Sequence, residues 1–351
     1  MPTPDRTVLH VLPHPGGGGE TYVDLLDEMP GYRFTKVYLA PNPRPRPAEL
    51  VRGVFDALRR GRDHDLVHAH GEPAAGLCLP LLASRPSVVT MNGLHLSRRM
   101  SGFMREAAAL NLRAVVRVAS RTICVCRAEH DYLRGVAGPA AAQHVIVVHN
   151  GVRIPEARDK ADRLETRREL GLAESEPLGI WVGGLDDHKD PLAAIHAAQA
   201  ASVPLLVVGD GPLRARVERE ASELTRVLGQ RRDVPRLLDA ADIYVVTSQR
   251  EGFSFSLLEA MAHRLPAVVT SLPENVEAIG DAGLAIRIGD DSLESALRRL
   301  VQDPDQRMHL GERALQRVSR LFDATEMSRR TRAVYDDLMD DSSRRRRSIA
   351  S

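Results

Sequence analysis

A chain of 351 residues with a formal net charge of +1, 43% hydrophobic and 27% charged, has the composition of an ordinary soluble globular protein. Its length leads to an expectation of two domains of about 150 to 180 residues each. The near-neutral balance supplies no argument for a nucleic-acid partner, although the positive charges are mostly arginine and unevenly placed.

Cys78, Cys124 and Cys126 form an odd set with no matching zinc-type pair, and read as reduced structural thiols. No long apolar span exists, and the N-terminus lacks the basic-then-apolar pattern of a signal peptide, so the protein is expected in the cytoplasm. The chain opens with a strand at 6–13, followed by Gly16 to Gly19, whose backbone N–H groups can face a ligand, and a helix beginning at Glu20. That glycine run lacks the G-x-G-x-x-G spacing of a dinucleotide fingerprint. A second strand at 34–40 ends in the extended link P-N-P-R-P-R-P, and a helix follows at about 48–60. The third strand, 65–71, carries His68 and His70 on one face; with no third ligand evident nearby, no metal is expected there. The fourth strand and its exit loop, 87–95, carry Asn92 and His95. Residues 96–121 read as a basic helix, in which Arg98, Arg99, Arg105, Arg113 and Arg117 alternate with Phe103, Met104 and Leu110. Such a helix is either a solvated face or one that lies on an anionic membrane, here the inner face of the plasma membrane. Two further strands follow, the second ending at Asn150 and Gly151, which tolerate the positive φ of a hinge.

After a charged connector, a second domain opens with a strand ending at Gly183 and Gly184 and a loop holding Lys189. The next strand, 205–213, ends in a tight turn from Gly209 to Pro212. A-D-I-Y-V-V-T-S, 241–248, reads as a buried parallel strand. Gly252 then permits a tight strand-to-helix turn, and Ser254 or Ser256 can cap the helix. This puts Glu251 in the turn and Glu259 on the helix, at the crevice where nucleotides bind in open α/β sheets. One carboxylate can accept two hydrogen bonds from vicinal ribose hydroxyls and the other can orient a sugar; the alternative is a pair of solvated glutamates. Asp186–Asp187 and Asp290–Asp291 lack the D-x-D spacing of a metal motif. The final helix, about 324–340, is expected to return onto the first domain, with 341–351 as a disordered basic tail.

The stretch E-G-F-x(5)-E-A-M-A-x-x-x-P-x-V-V-T, from Glu251 to Thr270, resembles the signature of the retaining glycosyltransferases of family 4, which have the GT-B fold. The segments G-G-x-E after the first strand, D-x-V-H-x-H at 65–70, N-G-V at 150–152 and V-G-G-L-D-D-H-K at 182–189 are similar to that family as well. The resemblance implies an α/β fold of two Rossmann-like domains facing across a cleft, 1–151 with the C-terminal helix and 152–323. It implies catalytic roles for Glu251, Lys189, Asn92 and His95, and a donor site built from Gly17, Gly18, Gly183, Gly184, Lys189, Gly209, Gly211, Arg250, Gly252, Phe253, Ser254 and Glu259. The acceptor side would comprise Gly19, Glu20, His70, Asn92 and His95. Four positions depart from the pattern: Asn92 stands for a histidine, Gly184 for an arginine that neutralises the leaving diphosphate, and Ser254 and Arg264 for glycines.

The activity so implied is transfer, with retention, of a sugar from a UDP- or GDP-linked donor to a hydroxyl or amine. The acceptor would be a sugar, a lipid-linked molecule or a small molecule, with no cofactor, no metal and no nucleic acid involved. A sugar-nucleotide epimerase of the same fold and a non-catalytic sugar-nucleotide binder remain as alternatives. A nicotinamide dehydrogenase is disfavoured by the missing glycine fingerprint.

Overall fold

The computed structural model describes residues 6–94, 100–138, 143–156, 160–287 and 292–350. The chain divides into two compact units, one formed by residues up to Asn150 together with those from Ala324 onward, the other by Gly151–Asp323.

The first unit is built on a parallel sheet of β1 (Arg6–Leu12), β2 (Tyr32–Tyr38), β3 (Leu66–His70), β4 (Ser87–Thr90), β5 (Arg121–Cys124) and β6 (Val145–Val147), in the order β2-β1-β3-β4-β5-β6. The second carries β7 (Gly179–Val182), β8 (Leu205–Val208), β9 (Thr225–Gly229), β10 (Ile243–Val246), β11 (Ala267–Thr270) and β12 (Gly283–Ile286), ordered β12-β11-β10-β7-β8-β9. Parallel pairing requires crossover helices, so the central strands are covered on both faces, and β8 and β10 read as apolar runs while β3 carries two buried histidines. Every residue of β3, β4, β8, β10 and β11 is buried. At about 1.5–3 kcal/mol for each fully buried aliphatic side chain, burial rather than intrinsic strand preference decides these segments.

The order of each sheet reverses once, between β1 and β3 in the first unit and between β7 and β10 in the second. Loops leaving the carboxyl ends of those strands open away from each other and leave a crevice, the usual ligand position in such sheets. The glycine run follows β1, His70 ends β3, Gly183 to Lys189 follow β7, and Glu251 follows β10.

Helix Ala324–Ala350 belongs to the first unit, where the Tyr22 hydroxyl lies 2.6 Å from Thr331 Oγ1 and Tyr32 donates to Asp336 Oδ1 at 2.6 Å. Arg6 pairs with Asp336 at 2.6 Å and with Asp340 at 2.8 Å. The disordered tail expected at 341–351 is corrected: this helix continues to Ala350, because S-S-R-R-R-R-S-I-A holds no glycine or proline and arginine is a good helix former. The basic helix is shorter than expected, Gly102–Val118; Ala119 is extended, and Arg121 already belongs to β5. His95, Arg98, Arg99, Asp290 and Asp291 lie outside the described residues.

Candidate active site

In the second unit the loop after β7 and the turn after β10 are stitched together. Thr247 Oγ1 donates to the Asp190 carbonyl at 2.7 Å and accepts from Trp181 Nε1 at 3.0 Å, and the Gln249 N–H donates to the His188 carbonyl at 2.8 Å. This juxtaposition brings Lys189 to Glu251. Lys189 Nζ donates to Glu251 Oε1 at 2.6 Å, and Ser248 Oγ donates to the same oxygen at 2.7 Å. Glu251 is 6% exposed, and its Oε2 has no hydrogen bond among the described residues. Two donors on one oxygen leave the other available to a ligand. Breaking a buried pair of this kind by removing one partner costs about 3–5 kcal/mol.

Arg250 forms no ion pair among the described residues, and its Nε is buried without a hydrogen-bond partner. His188 instead holds Asp186, Nδ1 to Oδ1 at 2.6 Å. That contact helps keep the Asp186 carboxyl below its ordinary value against the opposing, larger effect of burial. An added Cβ at Gly184 would stand 3.2 Å from Asp186 Oδ2, so the aspartate sits beside the missing arginine's position.

Ser254 caps helix Phe255–Ala262, its Oγ accepting from the Leu257 N–H at 3.4 Å; Ser256 Oγ turns to the Val182 carbonyl, also at 3.4 Å. Glu259 is half-buried on this helix, and burial raises its pKa. Among the described residues no hydrogen-bond donor meets its carboxylate. His263, the one nearby group that favours the charged form, is itself committed to Asp239 at 2.8 Å.

Other predicted donor residues have structural work. A Cβ at Gly209 would lie 1.8 Å from the Gly183 carbonyl oxygen, and one at Gly211 would lie 2.5 Å from that of Leu185, so both glycines exist for backbone approach. Phe253 packs edge-on against Phe322, with ring centroids 5.1 Å apart. Gly252 is buried but has no left-handed φ, so the turn there does not draw on glycine's extra conformational range.

In the first unit, Gly16 and Gly17 take φ of 83° and 82°, and Glu20 reaches back to accept from the Gly16 N–H while its other oxygen accepts from Tyr38. Glu20 thus clamps the glycine loop. An added Cβ at Gly19 would meet Asn92 Nδ2, His70 Cβ and Leu12 at 3.5 Å, which groups three of the predicted acceptor-side residues. Gly18 opens helix Gly18–Asp24.

His70 is wholly buried, and burial drives its pKa down to about 3. The sequence reading found no third histidine, but the structure supplies one: His10, which sits opposite His68 in the β1–β3 register. Ring nitrogens of His10, His68 and His70 lie within 4.8 Å of one another. Their hydrogen bonds run His10 Nδ1 to His70 Nε2 at 2.9 Å, His68 Nδ1 to Tyr335 at 2.6 Å and His68 Nε2 to Thr90 at 2.7 Å. Asn92 Nδ2 stands 3.5 Å from His70 Nδ1. An amide nitrogen only donates, so His70 accepts at Nδ1 and donates from Nε2 to His10. Among the described residues, His10 Nε2 and Asn92 Oδ1 are buried without a partner. The signal for His10 was its place at the centre of β1, which parallel pairing sets beside the H-x-H strand. Ser248 was missed too, because its role rests on a contact with Glu251 that spacing does not show.

Two doubly wound parallel sheets in one chain, each with its polar cluster at the switch point, define the GT-B class. A family model described as Glycosyltransferase Family 4 matches residues 8–154, and one described as Glycosyl transferases group 1 matches residues 176–303. The chain belongs to glycosyltransferase family 4. It is 27% identical over 195 residues to N-acetyl-alpha-D-glucosaminyl L-malate synthase of Bacillus anthracis, covering 52% of this chain and 51% of that protein. It is 30% identical over 178 residues to the UDP-Gal:alpha-D-GlcNAc-diphosphoundecaprenol alpha-1,3-galactosyltransferase of Escherichia coli, covering 45% and 46%. The matches thus span about half the length of these relatives. Among solved structures, HepE of Anabaena in complex with UDP-glucose superposes with a TM-score of 0.80 at 19% identity, over 95% of this chain and 99% of that one. Sucrose-phosphate synthase of Thermosynechococcus elongatus superposes with a TM-score of 0.80 at 20% identity, over 96% and 100%.

Proposed function

We propose that this protein transfers a sugar, with retention, from a nucleoside-diphosphate sugar to a hydroxyl or amine acceptor, without a metal. The observation that carries the reading is Glu259: a half-buried carboxylate that burial holds above its ordinary pKa, with no donor facing it among the described residues, on the helix that leaves the β10 turn. Such a group is poised to accept hydrogen bonds from ribose hydroxyls. UDP is the favoured donor base, since the galactosyltransferase relative is named for UDP-Gal and HepE was solved with UDP-glucose.

In the reaction, the bond between the anomeric carbon and the β-phosphate oxygen breaks and its electron pair stays on the diphosphate. Lys189 and Arg250 offset that charge, and Glu251 Oε2 faces the positive charge growing on the sugar. The acceptor oxygen or nitrogen bonds to the same face of the anomeric carbon, and its proton passes to the departing phosphate oxygen. Asn92 accepts or donates a hydrogen bond but takes no proton, which suits a mechanism in which the donor is its own base.

A cytoplasmic protein touching the membrane edge-on is the accompanying reading. Phe103, Met104 and Leu110 are 80%, 53% and 61% exposed on helix Gly102–Val118, beside Arg105, Arg113 and Arg117. Among the described residues no helix is long and apolar enough to cross a membrane. A lipid-linked acceptor fits this surface.

The test is calorimetric titration with UDP, UDP-glucose, GDP and GDP-mannose, followed by product analysis over a panel of acceptors. Glu259→Ala should weaken donor binding by about tenfold to a hundredfold, the worth of charged hydrogen bonds. Lys189→Ala should slow transfer with a smaller effect on binding. Unchanged affinity and turnover in both variants would overturn the proposal, and donor conversion without any acceptor would mark an epimerase instead.

A further inference from the structure

Glu129 is 2% exposed, at the third position of helix Arg127–Ala137. Its Oε1 accepts from the Gly93 N–H at 2.7 Å and its Oε2 accepts from the Val125 N–H, also at 2.7 Å. One carboxylate therefore ties the turn leaving β4 to the turn leaving β5. Charge-assisted bonds at a helix start are the strong kind. The residue next to Gly93 is Asn92, and the two take consecutive left-handed φ of 53° and 95°. Asparagine and glycine are the residues that tolerate this conformation best, and the Gly93 N–H bond to Glu129 holds the pair in it. The Asn92 side chain then has its amide nitrogen 3.5 Å from His70 and its carbonyl oxygen buried with no partner among the described residues.

We propose that Glu129 is a positioning residue for transfer. By gripping the Gly93 N–H it fixes the turn that presents Asn92, whose carboxamide oxygen accepts a hydrogen bond from the attacking hydroxyl or amine of the acceptor. The role of Asn92 rests on the transferase reading above; the clamp itself does not. Glutamine is no substitute for Glu129, because its NH2 group would confront one of the two N–H donors.

Hydrogen exchange followed by mass spectrometry reads the clamp, and kinetics read its purpose. In Glu129→Gln, residues 89–94 should exchange faster while strands of the Gly151–Asp323 unit do not change. UDP affinity should stay within about twofold, as for independent sites. Transfer from UDP-glucose should fall by about a hundredfold, the loss caused by a displacement of about 1 Å. The double variant with Asn92→Ala should be no slower than Asn92→Ala alone, an outcome that general destabilisation would not give. Should Glu129→Gln fail to fold, Glu129→Asp keeps the charge, loses the reach and carries the same measurements. Unchanged exchange at 89–94, or losses that multiply in the double variant, overturn the proposal. A wild-type protein that binds UDP-glucose but transfers to no acceptor overturns the transferase reading and the purpose assigned to Asn92, whatever the exchange shows.

Discussion

At Gly184 the family resemblance implies an arginine, so the diphosphate site proposed above would have one cation fewer there. Arg250 is the remaining guanidinium in the adjoining turn, with no ion pair among the described residues and a buried, unsatisfied Nε. A buried donor without a partner costs about 1–3 kcal/mol, an expense that a bound anion would remove. Arg250→Ala is therefore expected to lower transfer by about tenfold to a hundredfold through loss of a charged hydrogen bond. Arg250→Ala should also leave the melting temperature as high as that of the unliganded wild type. A variant with wild-type kinetics would assign the missing charge elsewhere. Glu251 differs in kind: its partners, Lys189 and Ser248, are already in place at 2.6 and 2.7 Å.

At the scale of elements, the glutamate turn was legible because its parts are local. An apolar β-branched run and a serine cap announce strand and helix in order, and Ser254 is the cap observed. Gly209 and Gly211 were legible only as turn glycines; that they make room for the carbonyls of Gly183 and Leu185 depends on β7 lying beside β8. Helix Gly102–Val118 makes its own prediction. Its first turn is wholly exposed, and Phe103 and Leu110 share a face with Arg113 and Arg117. Co-sedimentation with vesicles containing phosphatidylglycerol should exceed that with phosphatidylcholine alone, should fade with salt, and should drop in Phe103→Ser. Equal recovery with both vesicle types would leave this helix a solvated face.

At the scale of the whole molecule, the three buried histidines couple folding to pH. Burial holds His70 down to about 3, and burial with mutual repulsion holds His10 and His68 well below their ordinary value. In the unfolded chain each titrates near 6.5. Above that pH both states are neutral and the three contribute no slope. Below it the unfolded state binds protons that the folded state refuses, so stability is lost as pH falls from about 6.5 toward 3. The slope approaches about 1.4 kcal/mol per pH unit for each histidine, or about 4 for the three together. Urea titrations at pH 7 and pH 5 should show this loss, and His10→Gln should reduce it by about a third. A pH-independent midpoint across that window would mean the histidines are protonated in the folded protein.

The strands and the positions of Glu251 in a turn and Glu259 on a helix could be read from residue order, because period and turn chemistry act over a few residues. Tertiary structure decided what those groups face. It placed His10 beside His68 through strand register, set two donors on one oxygen of Glu251, left Arg250 Nε and the Glu259 carboxylate without a hydrogen-bond partner among the described residues, and turned Glu129 inward to hold the Asn92 turn. The physical reason is the same in each case: hydrogen bonding and burial depend on distances between segments far apart in sequence, and a linear pattern holds no record of those distances.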